Sequence, residues 1–236
     1  MKISELRLPE HIELCTFTSA QALTQHLSTR LCQYLEHAIE QESKASLAVS
    51  GGSTPVPLFQ ALSRATLDWH NVDITLVDER WVPHSDPASN TQLVKENLLQ
   101  EHAANARFVE LWQADTSAHN ALAECHQRLT SLHSPLTAAV LGMGNDGHTA
   151  SLFPCAHELT NALTSKQYCA ALTPTSAPHT RITLTPHYLL NSTVRILHIV
   201  GQDKLDTLAK ALAVNDVYQM PICLFLQHPL IIYWAP

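Results

Sequence analysis

Apolar and polar positions along the chain follow two rhythms: short apolar runs, and longer stretches with helical spacing. The runs at 12–17, 46–50, 72–77, 137–141, 168–172, 182–184, 194–200, 224–226 and 230–234 are rich in Val, Ile, Leu and Ala, which predicts strands. Between them, helices are predicted from 18 or 19 to about 42, at 57–64, 91–100, 115–132 and 203–213. Thr18 and Gln21 have capping-box spacing, as do Ser89 and Gln92, and Asp115 is placed to cap the fourth helix. Strands alternating with helices imply βαβ units, hence an α/β fold with a mainly parallel sheet flanked by helices. No linker, repeat or low-complexity tract divides the sequence, so 1–236 reads as a single domain.

Composition narrows the partners. A net charge of −7 with no basic cluster argues against nucleic acid or an anionic membrane. No segment is long and apolar enough to span a bilayer, and residues 1–14 lack the apolar core of a signal peptide, so a cytoplasmic location is expected. The six cysteines, at 15, 32, 125, 155, 169 and 223, form no C-x-x-C pair, and each is expected to be a buried, reduced thiol. Among fifteen histidines, His119, His126 and His133 recur at one spacing along the fourth predicted helix and read as a surface stripe. His157-Glu158 lacks a second histidine at zincin spacing, so no metal and no cofactor are expected.

Candidate chemistry gathers where strands end. The stretch LGMGNDGHTASLFP at 141–154 follows an apolar run and places Gly142, Gly144 and Gly147 around a carboxylate, Asp146, and an imidazole, His148. Glycines at a strand end let a ligand approach the backbone closely, and open α/β sheets bind ligands at that end. SGGSTP at 50–55 also lies between a strand and a helix, where backbone amides form an anion site. It has neither a Walker lysine nor the G-x-G-x-x-G spacing, which disfavours a nucleotide. Asp78, Glu79 and Arg80 stand at the exit of another buried strand, as functional groups or as a structural ion pair. Arg181 opens RITLT and Lys204 follows Gly201 at a helix start; together these cations would meet a phosphate dianion.

In this order the motifs resemble the 6-phosphogluconolactonase family: strand-SGGSTP-helix, V-D-E-R-W-V-P at 77–83, G-x-G-x-D-G-H-T-A-S-L-F-P at 142–154, R-I-T-L-T at 181–185, and G-x-x-K at 201–204. The likeness covers nearly the whole chain. It implies a Rossmann-like fold shared with glucosamine-6-phosphate deaminases. It also implies hydrolysis of 6-phospho-D-glucono-1,5-lactone to 6-phosphogluconate, the second step of the pentose phosphate pathway. The partner would thus be a small sugar-phosphate lactone. Deaminases carry a glutamate shortly after the Gly-His pair for ring opening, whereas 149–154 here holds no carboxylate. A sugar-phosphate isomerase or deaminase and a non-catalytic sugar-phosphate sensor are the rival readings.

On the lactonase reading His148 is the general base on water, since imidazoles titrate near about 6.5. Asp146 orients that ring or binds sugar hydroxyls. Gly51, Gly52, Ser53 and Thr54 cradle the phosphate with Arg181 and Lys204, and Arg80 joins that clamp or steadies the oxyanion. Asp78, Glu79, Gly144 and Gly147 are expected to support these groups from behind. Two stretches depart from the family pattern: Ala177-Pro178-His179-Thr180 precedes Arg181 where Pro-Pro is common, and the chain ends Trp234-Ala235-Pro236 without a following aspartate.

Overall fold

Runs that are apolar at every position need cover on both faces, and they form the middle of a sheet. The computed structural model describes Ile3 and residues 6–236; the reading of residues 1, 2, 4 and 5 as free of a signal sequence lies outside the described residues. In chain order the elements are β1 (Ile12–Thr16), α1 (Ala20–Glu42), β2 (Ala45–Val49), α2 (Val56–Ser63), β3 (Val72–Leu76), β4 (Asp78–Arg80), α3 (Asn90–Asn97), β5 (Arg107–Val109) and α4 (Leu122–Leu129). There follow β6 (Ala138–Leu141), α5 (Leu159–Thr164), β7 (Cys169–Leu172), β8 (Arg181–Leu184), α6 (Pro186–Leu189), β9 (Val194–Val200), α7 (Gln202–Val214), α8 (Ile222–Leu226) and β10 (Leu230–Ala235).

Seven strands pair in the order β1-β10-β9-β6-β2-β3-β5, all parallel, and β2, β3 and β6 are buried at every residue. Helix α1 covers this sheet with Leu23, Leu27, Leu31 and Leu35, spaced one turn apart and all wholly buried. Burying each such leucine contributes about 1.5–3 kcal/mol, which anchors the helix. From β2 the chain passes through α2 to β3 on one side, whereas from β6 it returns to β9 on the other. The neighbouring strands β2 and β6 therefore send their chains in opposite directions. A crevice opens at such a switch point, at the carboxyl ends of the strands.

Several expectations are corrected. Ser19, not the Thr18–Gln21 pair, caps α1, accepting from the Ala22 amide. The predicted helix at 115–132 shrinks to α4: Asp115 takes a positive φ of 61°, and the Ser117 hydroxyl accepts from the Asn120 amide. Such local side-chain bonds compete with a helix start. With only His126 on α4, the histidine stripe dissolves; His126 instead accepts from the Tyr168 amide and packs on its ring. Residues 224–226 belong to a helix, α8, led in by Pro221, since a short apolar run has no period that separates strand from helix. Cys125, Cys169 and Cys223 are buried as expected, while Cys15, Cys32 and Cys155 are only half-buried.

The largest addition is a second sheet. β4, β8 and β7 form an antiparallel set beside the parallel one, so 78–80 is a strand of its own rather than the exit of β3. This sheet brings Arg80 directly opposite Arg181.

Candidate active site

At the switch point the loops after β2 and β6 are tied together by one hydroxyl. Ser50 Oγ donates to the Val140 carbonyl at 2.9 Å and accepts from the Gly142 amide at 3.0 Å. The cleft above them has a volume of about 270 Å³. It brings together Gly51, Gly52, Ser53, Thr54, Asp78, Arg80, Gly144, His148, Arg181 and Lys204. Asp146 reaches it through His148, while Glu79 and Gly147 do not line it.

The loop after β6 holds the Asp146–His148 pair. His148 Nδ1 lies 2.6 Å from Asp146 Oδ1, and the His148 amide donates to the same oxygen at 3.1 Å. Burial pushes the Asp146 carboxyl up, but the hydrogen bonds and charge of His148 outweigh it and hold the carboxyl below its usual value. An ionised carboxylate only accepts, so the paired Nδ1 carries a proton and Nε2 is left to face the cleft. The His148 ring stacks on Phe153, with centroids 4.0 Å apart. The loop closes on itself through the Gly144 amide, which donates to the His148 carbonyl at 2.9 Å. Gly144 leaves the room this pair occupies: a Cβ there would stand 2.1 Å from His148 Cε1 and 2.7 Å from Asp146 Oδ1. Gly147 lies under Met220, away from the cleft.

Two arginines, Arg80 and Arg181, line the same cleft. Side chains directly opposed across an antiparallel pair have Cβ atoms about 5 Å apart, and like charges so placed repel. Nε of both Arg80 and Arg181 is buried without a protein acceptor among the described residues. Arg80 Nη1 donates to the Ala88 carbonyl, and Arg181 Nη2 to Pro178, within the stretch that departs from the family pattern. The Arg181 guanidinium lies 4.9 Å from the Phe153 ring centroid. Burial pushes this guanidinium below its usual value, Asp78 opposes that shift, and Arg80 adds to it. Lys204 Nζ reaches across to Asn145 Oδ1. Among the described residues no carboxylate lies within ion-pair distance of these three cations. Three cations without a contact ion pair, on one concave surface, suit an anion.

The carboxylates 78 and 79 divide their duties, and neither forms the ion pair that the sequence left open. Asp78, buried at the cleft wall, accepts from Ser151 Oγ at 2.5 Å. Glu79 is wholly buried and accepts from the amides of Arg80, Asn90 and Thr91 at 2.8, 2.8 and 2.7 Å. It thereby fastens the start of α3 to β4. Burial pushes its carboxyl up, and these amide bonds only partly offset the shift. Glu79→Gln turns one acceptor into a donor facing an amide, which should destabilise the protein by about 1–3 kcal/mol in urea unfolding. An unchanged midpoint would show that the carboxylate does not hold the strand to the helix.

Two cleft residues escaped the sequence reading. Asn90 sits against the α-carbon of Gly51, its amide donating to the Asp78 carbonyl at 2.9 Å. His198 lines the floor, and a lone imidazole inside the apolar run of β9 was its only sequence signal. Among the described residues no group of three or more His, Cys, Asp or Glu side chains could hold a metal ion, and no helix is long and apolar enough to cross a membrane.

The model of the glucosamine-6-phosphate isomerases and 6-phosphogluconolactonases matches residues 18–234. The 6-phosphogluconolactonase of Pseudomonas aeruginosa is 42% identical over 238 aligned positions, which cover 100% of both chains. The crystal structure of a 6-phosphogluconolactonase from Shewanella baltica superposes with a TM-score of 0.95 at 43% identity, covering 98% of this chain and 100% of that one. A monomeric glucosamine-6-phosphate deaminase shares the fold at 17% identity, with a TM-score of 0.76 over 94% of this chain and 97% of that one. With the match running through every motif that lines the cleft, the chain belongs to the glucosamine-6-phosphate isomerase/6-phosphogluconolactonase family.

Proposed function

We propose that the protein hydrolyses 6-phospho-D-glucono-1,5-lactone to 6-phosphogluconate, as a single domain acting in the cytoplasm. The observation that carries this reading is the Asp146–His148 pair at 2.6 Å in a cleft that also holds two arginines, each with a buried Nε that has no protein partner. The absence of a carboxylate from 149–154 favours the lactonase over the ring-opening deaminase chemistry of the same fold.

Asp146 holds the His148 ring so that Nε2 faces a water beside the lactone carbonyl. Nε2 takes a proton as the water oxygen bonds to the carbonyl carbon, and the oxyanion that forms is met by a guanidinium, a role we assign to Arg80. The carbon–ring-oxygen bond then breaks, and the His148 imidazolium returns the proton to the departing oxygen. Gly51, Gly52, Ser53 and Thr54 offer amides and hydroxyls to the phosphate, while Arg181 and Lys204 supply its counter-charge. Gly52, at a φ of +93°, gives the loop its turn.

Freshly prepared lactone should be consumed far faster than it hydrolyses spontaneously, and the unphosphorylated lactone should be a poor substrate. Arg181→Ala or Lys204→Ala should each raise KM, by roughly the 1.5–3 kcal/mol of hydrogen bonds to charged groups. Equal efficiency on the two lactones would remove the phosphate from this assignment.

A further inference from the structure

β9 carries two polar side chains. Arg195, at its entry, donates to the backbone carbonyls of Leu190, Ser192 and Pro229. His198 is different. It is 5% exposed, lines the cleft, and has no hydrogen bond to its ring among the described residues. In register it stands beside Tyr233 and one step beyond the Leu141–Leu197 pair, level with the Gly142 backbone where the catalytic loop departs. Its ring nitrogens are not sealed from solvent, so they open onto the cleft, where a bound ligand can take the place of water. Burial pushes the imidazole down to about 4, so at neutral pH one ring nitrogen donates and the other accepts. Arg80, Arg181 and Lys204 only donate, which suits a phosphate, whereas the neutral His198 ring adds to Asp78 an acceptor suited to sugar hydroxyls.

We infer that His198 is a specificity-determining residue whose imidazole hydrogen-bonds a hydroxyl group of the sugar-phosphate lactone at the floor of the cleft. The inference rests on the proposed lactonase function and assigns that site a discriminating contact for the sugar itself.

The test compares wild type, His198→Phe and His198→Asn on 6-phosphogluconolactone and on lactones lacking each free ring hydroxyl in turn. On the parent lactone His198→Phe should lose about ten- to a hundredfold in kcat/KM, chiefly through KM, because the hydroxyl is left unpaired. On one deoxy lactone the two enzymes should come within about threefold of each other, a coupling that a merely structural role does not produce. The asparagine, which keeps an acceptor, should recover part of the loss. An equal loss on every lactone overturns the inference. Ring nitrogen-15 signals of His198 in the wild type provide a second measurement that does not depend on the phenylalanine variant folding. They should shift when 6-phosphogluconate binds, and unmoved signals overturn the inference. A wild type that turns over no lactone overturns the proposed function instead.

Discussion

His148→Asn should lower kcat by about 10²–10⁴-fold while leaving KM nearly unchanged, because it removes a general base but keeps a polar group of similar size. The residues proposed to hold the phosphate lie on other elements and should survive the change. The pH profile supplies a second readout. Asp146 is held below its usual carboxylate value, so it stays ionised as pH falls through the range where a free aspartate would protonate. Loss of wild-type activity on the acid side therefore reports protonation of the imidazole, and the asparagine variant should lack that limb. Spontaneous hydrolysis of the lactone is base-sensitive and must be subtracted at each pH. Near-normal kcat with an intact acid limb would move the base to Asp146 or Asp78.

Gly144→Ala should be almost as damaging without touching an ionisable group. The new methyl would occupy the space of the His148 ring and crowd Asp146 Oδ1, so the pair must separate or the loop must shift. Misplacing a catalytic group by about 1 Å costs on the order of 10²-fold in rate, and that loss should fall on kcat. The phosphate cradle lies on the loop after β2, so product affinity should be retained. An alanine variant with wild-type kcat, and an unaltered thermal melt, would mean that catalysis does not require the observed arrangement of the pair.

What could be read from the sequence was local. β2 and β6 announce themselves as apolar runs that end in glycines, so both candidate loops were legible, and so were Asp146 and His148 within theirs. Helix α3 and its cap Ser89 were legible because hydroxyl and amide stand three residues apart. The pairing of Arg80 with Arg181 was not, because β4 and β8 are three- and four-residue strands with no period to detect. The partners of Glu79 were hidden for a related reason: the amides it binds lie eleven and twelve residues later, at the start of a helix. β5, α5 and α6 were missed as well, each being six residues or shorter.

The hydroxyl of Ser50 has a consequence for which molecules fit. By bonding both the carbonyl of Val140 and the amide of Gly142, it staples the exit of one strand to its neighbour. The loop assigned to the phosphate and the loop carrying His148 thus share a common origin and cannot drift apart independently. On the proposed function, together they act as a calliper set to one carbon-chain length between phosphorus and acyl carbon. On that function, a lactone one carbon shorter should seat its phosphate and still hold its carbonyl out of reach of the imidazole, which makes Ser50, at the cleft wall, a determinant of substrate length.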